Sequence, residues 1–96
     1  MTVRMNQYDL KTVINGIYQI WAAFEEEQQT EIAAILLKLI DVCERMNPRR
    51  RAKIRPESGE ARLILLCLNE WRNRFIKAGK ADGADGVGEV MVRFAR

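Results

Sequence analysis

Three stretches of this chain repeat apolar residues at steps of three and four. Leu10, Val13, Ile14, Ile17, Trp21 and Phe24 draw the first stripe. Ile32, Ile35, Leu36, Leu39, Ile40, Cys43 and Met46 draw the second, and Ala61, Ile64, Leu65, Leu68, Trp71, Phe75 and Ala78 the third. Residues so spaced share one face of an α-helix, not of a strand. The pattern predicts an all-α fold, a small three-helix bundle. With 96 residues the chain is one domain, able to hide roughly two thirds of its unfolded surface in one modest core.

The ends of these segments carry helix signals. Asn6 is placed to cap the first helix, with Asp9 in its first turn. Gly16 interrupts the stripe at about 1 kcal/mol against Ala, unless a close helix neighbour needs the space. Glu25 to Thr30 is wholly polar and contains no Gly or Pro, so it reads either as a break capped by Thr30 or as part of one helix from 7 to 46. A single helix would run ~60 Å at ~1.5 Å per residue, about twice the width of a domain this size. The break is therefore preferred. Ile32 to Leu37 is apolar nearly all round, as in the central helix of a bundle or an oligomer interface. Asn47 suits a left-handed C-terminal position, and Pro48 stops the helix. Residues 47–57 form a loop with two prolines, after which Ser58 caps the third helix. Gly79 closes that helix, flanked by Lys77 and Lys80. The Gly-rich residues 81–88 then read as a flexible linker, and 89–94 as strand-like residues without a partner. On this reading residues 1–80 form the helical domain, and 81–96 a linker and flexible C-terminal arm.

Composition removes most chemistries. The chain has no histidine, so Ser-His-Asp and Cys-His nucleophiles, HExxH metal sites and imidazole switches are excluded. Two cysteines cannot supply the four ligands of a structural zinc site. Cys43 and Cys67 lie in apolar helical patterns and read as reduced, buried and structural. Asp82 and Asp85 lack the spacing of a calcium loop, and the Gly-rich stretch lacks the Lys–Ser/Thr of a phosphate loop. No metal, cofactor or enzymatic activity is expected. No signal peptide is visible, and the longest apolar runs are too short to span a bilayer, so a cytoplasmic protein is expected.

What remains is charge. Residues 1–44 carry a net −4, and residues 45–96 a net +7. Arg49, Arg50, Arg51, Lys53 and Arg55 concentrate five cations in one loop, flanked by Arg45 and Arg62. Arginine forks match phosphates and carboxylates, so these seven residues are the candidate partner-binding or anion-binding site. The run Glu25, Glu26 and Glu27 reads as a solvated helix end, because adjacent residues do not share a helix face. Tyr8, Tyr18, Trp21, Trp71 and Phe75 lie mostly on apolar stripes, where core packing is the default. Such broad apolar faces exceed what so short a chain can bury, and Trp21, Trp71 and Phe75 are the candidates for an exposed apolar contact.

The stretch IYQIWAAFEEEQQTEIAAILLKLIDVCERMNP, followed by RRRAKIRP, resembles the small anti-RecBCD proteins of lambdoid phages. That resemblance implies stoichiometric binding to a host nuclease–helicase, without chemistry. Residues 58–78 are similar, in their S-x-E-A-x-L…L-x-E spacing, to the helical hairpin of phage proteins that sequester cyclic nucleotides, although Gly59 stands where an arginine is usual. The expectation is a non-enzymatic protein-binding module, a phage-type modulator of a host nucleic-acid enzyme. The alternatives are direct nucleic-acid binding through residues 49–55 and a structural homo-oligomer or cyclic-nucleotide-sequestering helical protein.

Overall fold

The computed structural model describes residues 2–94. Four helices and one small sheet make it up: β1 (Val3–Met5), α1 (Gln7–Ile20), α2 (Glu26–Arg45), β2 (Ala52–Ile54), α3 (Ser58–Lys77) and α4 (Ala81–Phe94). The fold is mostly helical, as the stripes require, but it is not a three-helix bundle with a loose end.

α1 is the hub. Leu10, Val13, Ile17 and Ile20 are almost wholly buried, and the helix touches α2, α3, α4 and β1. Asn6 caps it as expected, its Oδ1 accepting from the Asp9 N–H at 2.8 Å. Gly16 is the point of closest helix contact, since a Cβ there would stand 2.8 Å from Leu68 Cδ2 and 2.9 Å from the Trp71 ring. The missing side chain lets α3 come in against α1.

The chain does break between the first two helices, and the molecule's longest dimension is only 34 Å. The break comes earlier than Thr30. A 3₁₀ turn at Trp21–Ala23 follows α1, and Glu25 is the cap of α2. Trp21 Nε1–H donates to the Gln29 carbonyl at 3.1 Å, and Gln29 Nε2 donates to the Phe24 carbonyl at 2.8 Å. These bonds pin the corner, while Thr30 lies inside α2. That helix is not central: Leu37, in its most apolar stretch, is 68% exposed.

Beyond α2, Asn47 does not adopt the left-handed conformation; its side chain instead accepts from the Arg49 N–H at 2.9 Å. Pro48 still prevents continuation. The segment after it is not all loop. β2 pairs antiparallel with β1, in the register Val3↔Ile54, Arg4↔Lys53 and Met5↔Ala52. Val3, Met5 and Ile54 face the core. The cap of α3 is Glu57, one residue before Ser58, in a reciprocal box with Glu60.

The largest correction concerns the C-terminal segment. Gly79 closes α3 with φ +72°, as expected. Its N–H donates to the Ile76 carbonyl at 3.0 Å, and that of Lys80 to the Phe75 carbonyl at 2.9 Å. The chain then turns directly into α4, where a linker and a flexible arm were expected. Ala84, Val87, Val90 and Phe94 are buried along one face of this helix. Gly83 permits the approach, because a Cβ there would stand 2.8 Å from the Phe75 ring. Close packing on α3 thus offsets the poor helix propensity of the glycines. Residues 95 and 96, also assigned to the arm, lie outside the described residues.

Both cysteines are free and buried, and burial pushes the Cys67 thiol up to about 11. Among the described residues no helix is long and apolar enough to cross a membrane.

Candidate anion-binding groove

In a β-strand successive side chains point to opposite faces. The sequence R-A-K-I-R at 51–55 therefore sends Ile54 inward and Arg51, Lys53 and Arg55 outward. The V-R-M of β1 does the same, burying Val3 and Met5 and presenting Arg4. Arg4 and Lys53 are register partners, so two cations stand directly opposite each other. The last turns of α4 complete an open groove of about 750 Å³ with Glu89, Val92 and Arg93; Thr2 and Val3 line its edge.

Five cations and a single carboxylate, Glu89, line this groove. Arg93 is partly neutralised, its Nη2 lying 3.0 Å from Asp9 Oδ2. The contact is an ion pair without the alignment of a hydrogen bond, and Asp9 is otherwise buried. Arg4, Arg51, Lys53 and Arg55 have no carboxylate partner among the described residues. Like charges directly opposite across a strand pair are destabilising, by up to about 1 kcal/mol. The ribbon keeps them together because Val3, Met5 and Ile54 fix its inner face in the core.

The sequence-predicted cations divide. Arg51, Lys53 and Arg55 converge in the groove. Arg49 and Arg50 are exposed in the turn before β2 and do not line it. Arg45 pairs with Asp41 one turn back on α2, and Arg62 is exposed on α3 away from the groove. The aromatic candidates do not join either. Trp21 is 39% exposed at the α1–α2 corner. Trp71 and Phe75 are partly buried, with ring centroids 5.1 Å apart. They line a separate groove of about 530 Å³ between α1, α3 and α4. Tyr8 and Tyr18 are exposed on α1 and not in the core. Leu66 and Ile76 are also exposed, but their ten-residue separation places them about 15 Å apart along α3.

Sequence reasoning missed Arg4, Arg93 and Glu89. For Arg4 the signal was the alternation of V-R-M, matched by that of R-A-K-I-R. Arg93 and Glu89 were hidden when their segment was read as a loose arm.

Elsewhere three ion pairs join charges of α2 and α3. Lys38 Nζ lies 2.8 Å from Glu60 Oε2 across α2 and α3. The hydrogen bond to Glu60 raises the Lys38 pKa, and the bond from Lys38 holds the Glu60 carboxyl below its usual range. No protein-family model matches this chain, and no curated protein or solved structure matches it.

Proposed function

We propose that the protein is a non-enzymatic cytoplasmic binding module that takes a polyanion into the groove between the β-ribbon and α4. One observation carries this reading: Arg4, Arg51, Lys53 and Arg55 share that groove with no carboxylate partner among the described residues. Gathering unanswered cations costs stability, and it raises the local concentration of an anionic ligand. The test is calorimetric titration with inorganic polyphosphate at low salt. Saturable binding is expected, lost when Lys53 and Arg55 are reversed to Glu. No heat of binding at two temperatures together with no binding in equilibrium dialysis, or unchanged binding by the reversed variant, would sink the reading.

A second reading keeps the groove and changes the ligand to the acidic face of a nucleic-acid enzyme, which a phage-type modulator would bind stoichiometrically. Val92 favours it, being 51% exposed on the groove wall next to the cations. An apolar side chain there suits a protein surface better than a phosphate. Affinity capture from bacterial lysate, with and without nuclease, separates the two readings. A single stoichiometric protein that survives nuclease supports the second.

A further inference from the structure

The groove cations stand at strand spacing. Arg51, Lys53 and Arg55 are alternate residues, so their backbones step about 6.6 Å at a time over about 13 Å. That row is commensurate with successive phosphates along one nucleic-acid strand, and Arg4 widens it across the ribbon at Lys53. The rest of the lining is Thr2, Val3, Glu89, Val92 and the Asp9-paired Arg93. It offers no aromatic ring to stack on an unpaired base and no Asn or Gln to grip adenine. The exposed rings of Tyr8 and Tyr18 lie on α1, outside the groove.

Resting on the polyanion reading above, we infer that the ligand is the phosphodiester backbone of a nucleic-acid duplex, held at about four phosphates without reading its sequence. A duplex stacks its bases inside and presents its phosphates outward, which suits a lining that offers cations at phosphate spacing and no ring to stack on a base. Glu89 on the opposite wall repels phosphate and confines the backbone to the ribbon side.

The test is fluorescence anisotropy of the intact chain over a salt series. The probes are two short DNA duplexes of unrelated sequence, an RNA duplex and a single strand of equal length, with poly-L-glutamate as competitor. Both DNA duplexes should bind within twofold of each other, and more tightly than the single strand. The slope of log affinity against log salt should be about −3.6, and about −1.8 for Lys53→Gln/Arg55→Gln. These exposed substitutions should leave the circular dichroism spectrum unchanged. The RNA and DNA arms identify which duplex supplies the backbone. A tighter single strand, a more than tenfold difference between the two DNA sequences, or displacement by polyglutamate as effective as by unlabelled duplex would overturn the inference. Failure to bind any polyanion would instead overturn the groove reading on which it rests.

Discussion

Two charged surfaces of this protein follow opposite rules. Along α2 and α3, opposite charges answer one another: Lys38 meets Glu60 at 2.8 Å, Arg45 meets Asp41, and Arg74 lies 3.6 Å from Glu70. Glu60 also receives the backbone N–H of Glu57 and so helps start α3. On the ribbon, Arg4 faces Lys53, and Arg51 and Arg55 continue the row without a carboxylate partner among the described residues. These six side chains of α2 and α3 spend their charge inside the molecule. The ribbon leaves its charge for something outside. The difference separates residues that hold the fold from residues available to a ligand, and it can be attacked from either side.

The largest effect should come from reversing charge on the ribbon. Lys53→Glu/Arg55→Glu removes two of four unanswered cations and adds two anions. Polyanion affinity should fall by at least about 100-fold at physiological salt. The urea midpoint should hold or rise, because both side chains are exposed and repelled by their neighbours. If both affinity and stability collapse, the ribbon charges belong to the fold and the contrast between the surfaces disappears.

The answered surface should behave the other way. Glu60→Ala removes the partner of Lys38 and one half of the α3 capping box. The cost should be about 1 kcal/mol, mostly from the cap, since an exposed ion pair contributes little. Polyanion binding should not change. The Glu60 carboxyl is held below its ordinary value of 4.5, first by the Lys38 hydrogen bond and then by the Glu57 N–H. A depressed acid stabilises the fold above its unfolded pKa, and that contribution is lost as pH falls through the folded value. The urea midpoint should therefore drop between about pH 6 and about pH 3, and the drop should be shallower in Glu60→Ala. Equal slopes in the two proteins would remove Glu60 from the account.

How much of this was legible follows from the range of each interaction. α1 could be read because its signals are local: the Asn6 cap, a clean stripe, and a Gly16 whose only explanation was a close neighbour. Gly79 was legible for the same reason, since a left-handed C-terminus needs glycine. α4 was not. Gly83, Gly86 and Gly88 each weigh against a helix by about 1 kcal/mol, and they mask the spacing of Ala84, Val87, Val90 and Phe94. What reverses the balance is the Phe75 ring under Gly83, a contact with another helix. The ribbon was hidden because three-residue strands are too short to declare themselves and their partners lie about fifty residues apart in sequence. Arg51, Lys53 and Arg55 were found as a charge run. Their gathering with Arg4 and Arg93 is a product of strand register and of α4, neither of which any local window contains.

A finer cut isolates the repulsion within the ribbon. Arg4→Gln should weaken duplex binding by about fivefold at physiological salt, the worth of one phosphate contact. It should also raise stability by a few tenths of a kcal/mol, because Lys53 then faces a neutral partner. Opposite signs in affinity and stability from one substitution are the signature of a charge kept for a ligand. Equal losses in both would mean that Arg4 packs the ribbon through its aliphatic stem.

The smallest test concerns the single carboxylate among the groove cations. Glu89 lines the groove with Arg4, Arg51, Lys53, Arg55 and Arg93, yet it has no ion-pair partner among the described residues. Two roles are open to an anion in that position. Were it to neutralise the cations in the manner of the α2–α3 surface, Glu89→Gln would add to the repulsion and lower the urea midpoint. If it only bounds the path of a polyanion, the same change leaves stability alone and tightens binding. The unpaired geometry favours the second role. The expected gain is about twofold, since an exposed charge beyond contact distance is heavily screened at physiological salt. A twofold gain in affinity with an unmoved midpoint would extend the division of labour to a residue that opposes binding. A lowered midpoint would show that the ribbon surface, too, answers part of its own charge.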